Sequence, residues 1–171
     1  VSSALRIWAI SGSFFWQDDW IHIWRAWNQP ASTFLIQDWN GHIEPMSWGF
    51  CWVITHLAPQ QWWVAALYLC VLAVAMPVAW WWLVRSLAGV TWLSAGVTVV
   101  FAFWPGLLVP QVWLATGLEM AALLFAILTV AALVQEGRSR YLALVFLGVG
   151  ALFNERVLYA VPLAILTLLM F

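Results

Sequence analysis

The sequence has no lysine, and its six positive charges are all arginine. Acidic residues number seven, so charged side chains are 8% of the 171 residues. A soluble domain carries roughly 25%. So few charges cannot cover a water-facing surface, and lipid is the expected surroundings of most of the chain. The net charge of −1 and the lack of any basic run exclude a nucleic-acid partner. Two cysteines, Cys51 and Cys70, are too few for a disulfide framework or a zinc knuckle, and Cys70 reads as a buried free thiol in an apolar run. No signal-peptide pattern, internal repeat or low-complexity tract is present. The chain starts at Val1 rather than Met and ends at Phe171 inside an apolar run, as expected of a piece of a longer protein.

Apolar residues are abundant. They make up 65% of the sequence, and its mean hydropathy is +0.93. A bilayer core of about 30 Å takes about 20 helical residues. The pattern predicts spans over 62–84, about 90–109 and 111–134, the second stopping at Pro110. Pro77 lies inside the first, a position that membrane helices tolerate. A shorter run covers 141–153, and a last one, 157–171, runs to the end of the sequence.

The first sixty residues hold half of the sixteen tryptophans and all three histidines, with Arg6, Asp18, Asp19, Arg25, Asp38 and Glu44. Tryptophan favours membrane interfaces, where its ring is apolar and its N–H finds a partner. Residues 16–40 therefore predict an interfacial loop with one or two amphipathic helices. The run 45–57 is too short to span. The expected architecture is all-α: one polytopic transmembrane domain over 1–171, with an extracytoplasmic interfacial loop at 16–57 and transmembrane helices at 62–171.

Arginine sets the orientation. Arg85, Arg138 and Arg140 sit in short plain connections that fall on one side by parity, and the positive-inside rule makes that side cytoplasmic. Arg6, Arg25 and Arg156 fall on the other side, among carboxylates. Cys51 and Asn154 are then expected outside and Ser139 inside. Three polar clusters share the outer face: the Asp18 to Glu44 region, Pro110-Gln111, and Asn154-Glu155-Arg156.

Each cluster carries groups capable of chemistry. On a helix, Asp18 and Asp19 face His22 at i+4 and i+3. Carboxylates beside an imidazole suit a general base or a divalent-metal site for Mg or Mn, and equally the start of an ordinary interfacial helix. Asn40-Gly41 is a turn signal, and Pro45 fits the first turn of a following helix. Between them, His42 and Glu44 can bind a phosphate, a metal or a sugar hydroxyl, or form a solvated loop. His56 reads as interfacial only. Glu119, eight residues into the predicted third span and on the face of Gln111 and Ala115, is a deep carboxylate. Such a group is either functional or paired with an arginine. Glu155 follows an apolar run too short to cross, so it is expected below the interface in a protein-lined cavity. Arg156 beside it can pair with a carboxylate or a lipid phosphate.

In this order, the motifs resemble the GT-C superfamily of membrane glycosyltransferases, including its protein-mannosyltransferase and aminoarabinose-transferase branches. Phe14-Phe15-Trp16-Gln17-Asp18-Asp19-Trp20 resembles the family's acidic pair after the first span. Gly41-His42-Ile43-Glu44-Pro45 resembles its Gly-His-x-x-Pro element. Asn154-Glu155-Arg156 with Pro162 resembles a Lys-Glu element, with Asn where lysine stands and Arg156 as the substitute cation. The resemblance implies a polyprenyl-phosphate-linked sugar donor, a glycan, lipid or protein acceptor, and an active site outside a bacterial plasma membrane. Asp18 or Asp19 would be the base. His42, Glu44, Gln111, Glu119, Glu155 and Arg156 would contact substrates. The rival expectation is a transporter piece with Glu119 and Glu155 lining a pathway, but its polar groups would gather at the midplane rather than in an interfacial loop.

Overall fold

The computed structural model describes residues 1–135 and 137–170; Glu136 of the expected inner turn and Phe171 lie outside the described residues. The chain is mostly helical. Helix α1 (Ser2–Ser11) is followed by α2 (Asp18–Asn28), a single turn α3 (Ala31–Phe34), and a hairpin of β1 (Asp38–Trp39) and β2 (His42–Ile43). Then come α4 (Pro45–Leu57), α5 (Trp62–Ala88), α6 (Trp92–Phe103), α7 (Leu108–Val112), α8 (Leu114–Leu133), α9 (Leu142–Phe153) and α10 (Ala160–Met170).

Helices α5 and α8 are each long and apolar enough to cross a membrane, and α6 with the segment 105–112 makes a third if that pair is one span bent by 48°. Their outward faces are apolar as well: Leu67, Val71 and Val78 on α5 and Leu144 and Val145 on α9 are exposed. Pro77 stays within α5 without ending it.

Helix α8 is the centre of the bundle and packs on α5, α9 and α10. Leu72, Met76 and Leu83 of α5 meet Met120, Ala121, Ile127 and Ala131 of α8 in the main core, with Phe153 and Val157. Small residues allow the close approach. A Cβ on Gly117 would stand 2.3 Å from Leu69 Cδ2 and 2.9 Å from the Pro110 carbonyl. Tyr68 Oη donates to the Gly117 carbonyl near the starts of α5 and α8 (3.3 Å), and Gln135 Nε2 donates to Ser86 Oγ near their ends (2.6 Å). The two helices thus run the same way, and α6, packed on α5, carries the chain back.

The second span differs from expectation. It breaks at Trp104-Pro105, not at Pro110, which lies inside α7. Pro105 lacks an N–H and pushes Trp104 to extended backbone (φ −60°, ψ 121°). The third span consequently starts at Leu114, after extended Trp113, rather than at Gln111. Glu119 is then about 7.5 Å along its helix, at 1.5 Å per residue, shallower than the sequence suggested. Gln111 no longer shares a helical face with it.

The break frees backbone carbonyls, and Arg6 satisfies them. Buried Arg6 donates from Nε and Nη2 to the Ala102 carbonyl (3.2 and 2.8 Å), from Nη2 to that of Trp104 (3.3 Å), and from Nη1 to Gln111 Oε1. Arg6 and Gln111, expected as outer-face polar groups, are thus occupied with each other.

The amphipathic helix expected within 16–40 is α2. Asp19, His22, Ile23 and Ala26 are buried on one side, and Trp20, Trp24 and Trp27 are exposed on the other. Asn40 and Gly41 turn the hairpin with φ of 56° and 86°, the left-handed pair that Asn-Gly supplies most readily. Pro45 opens α4 at its first turn, as expected.

Two predictions follow from this arrangement. In a background without Cys51 and Cys70, an Asn40→Cys variant should be labelled from outside intact cells and a Val90→Cys variant should not. The reverse pattern inverts the orientation. Positions 51 and 154 are buried and make poor reporters. Replacing Arg6 with Leu strands the Ala102 carbonyl and should lower stability by about 1–3 kcal/mol, read by thermal unfolding in detergent.

Candidate functional site

Loops from one end of the helices meet on two sides of the α8 N-terminus. On one side, Asp19 is 1% exposed. Its Oδ1 accepts from the Ala115 N–H (2.6 Å) and its Oδ2 from the Trp16 N–H (2.9 Å). The carboxylate caps α8, where the free N–H groups and the helix dipole favour an anion. Burial drives its pKa up to about 6 against the N–H bonds that pull it down. The acidic pair is therefore split: Asp19 is a buried cap, while Asp18 stays half-buried on the first turn of α2.

Asp19 and His22 share the buried side of α2, and Asp18 is close enough for its charge to act on His22, but the Asp19 oxygens accept from backbone N–H groups and His22 Nδ1 has no hydrogen-bond partner among the described residues. His22 is 3% exposed. Its ring lies between those of Trp39 and Trp48, each 4.8 Å away by centroids. Burial drives its pKa down to about 4, so it is neutral at physiological pH. Asp18 and Asp19 belong to no three-residue metal-ligating group among the described residues. His56 stacks on Trp52 (3.9 Å) and Trp27 (5.7 Å), as an interfacial residue would.

The second side joins the hairpin to the α9 end. Ser47 Oγ donates to the Phe153 carbonyl (2.8 Å), which brings the start of α4 against the end of α9. Asn154 leaves α9 in extended conformation (φ −167°, ψ 137°), and its Oδ1 accepts from the Arg156 N–H (2.8 Å). The Asn154 amide donates to Glu44 Oε1, and both residues are buried. His42 Nδ1 bonds Glu155 Oε1, and Arg156 is ion-paired with Glu119. Glu155 is more exposed than the sequence implied, with 48% of its side chain accessible. The structure thus brings together five of the expected residues: His42, Glu44, Glu119, Glu155 and Arg156. It adds Asn154, which stands where the family element has a lysine. Its position directly after an apolar helix was the only signal of a buried amide.

The electrostatics of this cluster are uneven. Burial raises the Glu44 pKa to about 7, helped by the charges of Glu119 and Glu155. The slight burial of Glu155 works to raise its pKa. Its own backbone N–H, His42 and Arg156 outweigh that and hold it below the ordinary carboxylate value. One end of the helices therefore holds a fixed carboxylate poised near neutrality, an ionised carboxylate on an imidazole, and a guanidinium oriented by Glu119. Such a set can bind an anion through Arg156 or a cation through the carboxylates.

The split of the acidic pair has a measurable consequence. Asn at position 19 offers one acceptor to two N–H donors, so Asp19→Asn should lower stability by about 1–3 kcal/mol, whereas Asp18→Asn should change it less. The sign with pH follows from the raised pKa. Between 3.8 and about 6 the folded chain keeps a proton that the unfolded chain has released. This group's contribution to stability therefore falls as pH rises through that window, and Asp19→Asn should flatten the slope in pH-dependent melting. No protein-family model, curated protein or solved structure matches this chain.

Proposed function

We propose that the chain is the membrane portion of a polytopic GT-C-type glycosyltransferase. It would act at the outer face of a bacterial plasma membrane, moving a sugar from a polyprenyl-phosphate donor to an acceptor hydroxyl. The observation that carries this reading is the meeting of His42, Glu44, Asn154, Glu155, Arg156 and Glu119 at one end of the apolar helices. A lipid-linked phosphate reaches that level from the bilayer, while a soluble or lipid acceptor arrives from the interface.

In this reaction the acceptor hydroxyl attacks the anomeric carbon. The bond from that carbon to the phosphate oxygen breaks, and polyprenyl phosphate leaves with the electron pair. Arg156, held in place by Glu119, binds the phosphate in a charge-assisted contact that strengthens as the leaving anion forms. Asp18 takes the hydroxyl proton, because the Asp19 oxygens are both engaged with backbone N–H groups, so the reacting sugar must lie across the α8 N-terminus between the Asp18 side and the Arg156 side. His42 and Glu155 hydrogen-bond sugar hydroxyls.

The transporter reading draws on the broken segment between α6 and α8, a feature of transport sites. Arg6 fills that break from within the protein and leaves its carbonyls no ion to coordinate. Glu119 and Glu155 lie near one end of the helices rather than at mid-depth, which also favours the transferase.

The test is transfer of labelled sugar from a polyprenyl-phosphate donor by the full-length protein in membranes. Asp18→Asn should lower the rate by about 10²–10⁴, the usual cost of losing a general base. Arg156→Gln should weaken donor use. Near-normal transfer in both variants at normal expression overturns the roles. No transfer by the wild-type protein from any polyprenyl-phosphate sugar overturns the function.

A further inference from the structure

We propose that His42, Glu44 and Glu155 form a binding site for one divalent transition-metal ion of the Mn²⁺ or Zn²⁺ kind. One ligand atom from each lies within 4.8 Å of the other two. The site differs from the acidic pair at Asp18 and Asp19, where the sequence pointed for a metal, and joins residues up to 113 positions apart.

The distances come close to those an ion of this size needs. Nitrogen and oxygen ligands sit about 2.0–2.2 Å from such a metal, so two ligands on one ion are at most roughly 4.3 Å apart. The bond between His42 Nδ1 and Glu155 Oε1 opens to admit the ion, and rotation of exposed Glu155 and half-buried His42 closes the remaining gap. Glu44 is the fixed point. It is 5% exposed, and the fully buried Asn154 amide holds its Oε1, while among the described residues no donor reaches Oε2. That is the relation of an outer partner to a metal-binding carboxylate.

Charge points the same way. Arg156 gives its ion pair to Glu119, which leaves two carboxylates around a single imidazole. A divalent ion balances that pair. An imidazole nitrogen beside two carboxylates favours first-row transition metals over Mg²⁺ and Ca²⁺, which prefer all-oxygen shells. With three protein ligands, the ion keeps an open position toward the exposed side of the cluster.

The test is independent of the transferase reading, because it uses no sugar donor. Full-length protein in detergent, stripped with a chelator, is titrated with Mn²⁺ alone, and free Mn²⁺ is followed by electron paramagnetic resonance. We expect one saturable ion per chain, displaced by Zn²⁺ but not by equal Mg²⁺. His42→Ala and Glu155→Gln should each weaken binding about tenfold or more, and Asn154→Ala, which removes no ligand, by about 10–100-fold. Size-exclusion profiles and tryptophan fluorescence check folding, and Glu155→Gln, on an exposed side chain, decides if another variant misfolds. Absence of saturable Mn²⁺ or Zn²⁺ binding overturns the proposal. So does binding that survives both ligand variants, or that is lost only in Asp18→Asn. A failed transfer assay leaves this titration standing, and a failed titration leaves the transfer assay standing.

Discussion

Everything at the N-terminal end of α8 depends on the need to satisfy backbone polar groups where a helix breaks in apolar surroundings. Unpaired N–H and C=O groups cost several kcal/mol in lipid. Between Phe103 and Leu114 the chain bends, straightens and starts a new helix, leaving donors and acceptors without intrahelical partners. Arg6 meets the carbonyls at the end of α6, and Asp19 meets the N–H groups at the start of α8. Both come from the first nineteen residues, so the N-terminal segments are bound to the bundle by its weakest backbone.

This arrangement divides the polar residues by task. Arg6, Gln111 and Asp19 are buried and spent on the backbone or on each other, and their value is structural. His42, Glu155 and Arg156 are partly exposed, and each is oriented by a protein partner. Glu44 and Asn154 lie between the groups, buried like the first and joined to the second. A buried pair beneath exposed side chains is a common way to keep a binding geometry reproducible while leaving room for a ligand.

The short α9 makes this junction feasible. Its twelve residues end at Phe153, so the turn that follows comes within an arginine's reach of Glu119 on α8. The close contact depends on small residues: a Cβ on Gly150 would stand 2.6 Å from Val157 Cγ2 and 2.8 Å from Phe125 Cβ. The apolar packing of α8 against α9 thereby sets where the charged cluster lies relative to the helix ends.

The apolar helices, the amphipathic α2, the Asn40-Gly41 turn and the start of α4 at Pro45 were all legible in the sequence. Each reflects transfer free energy or backbone preference summed over a few neighbouring residues. The residues of the charged cluster were legible as a set, because helix parity places their loops at one end. Their pairings were not. Asp18 and Asp19 are neighbours in sequence, but only Asp19 turns to the α8 N-terminus. Pro105 rather than Pro110 breaks the second span, and Asn154 proves to be a buried partner of Glu44. Local composition decided that these segments would be helical and apolar. Contacts between residues about a hundred positions apart decided which polar group satisfies which, because a buried donor or acceptor is paired by whatever packing brings within reach.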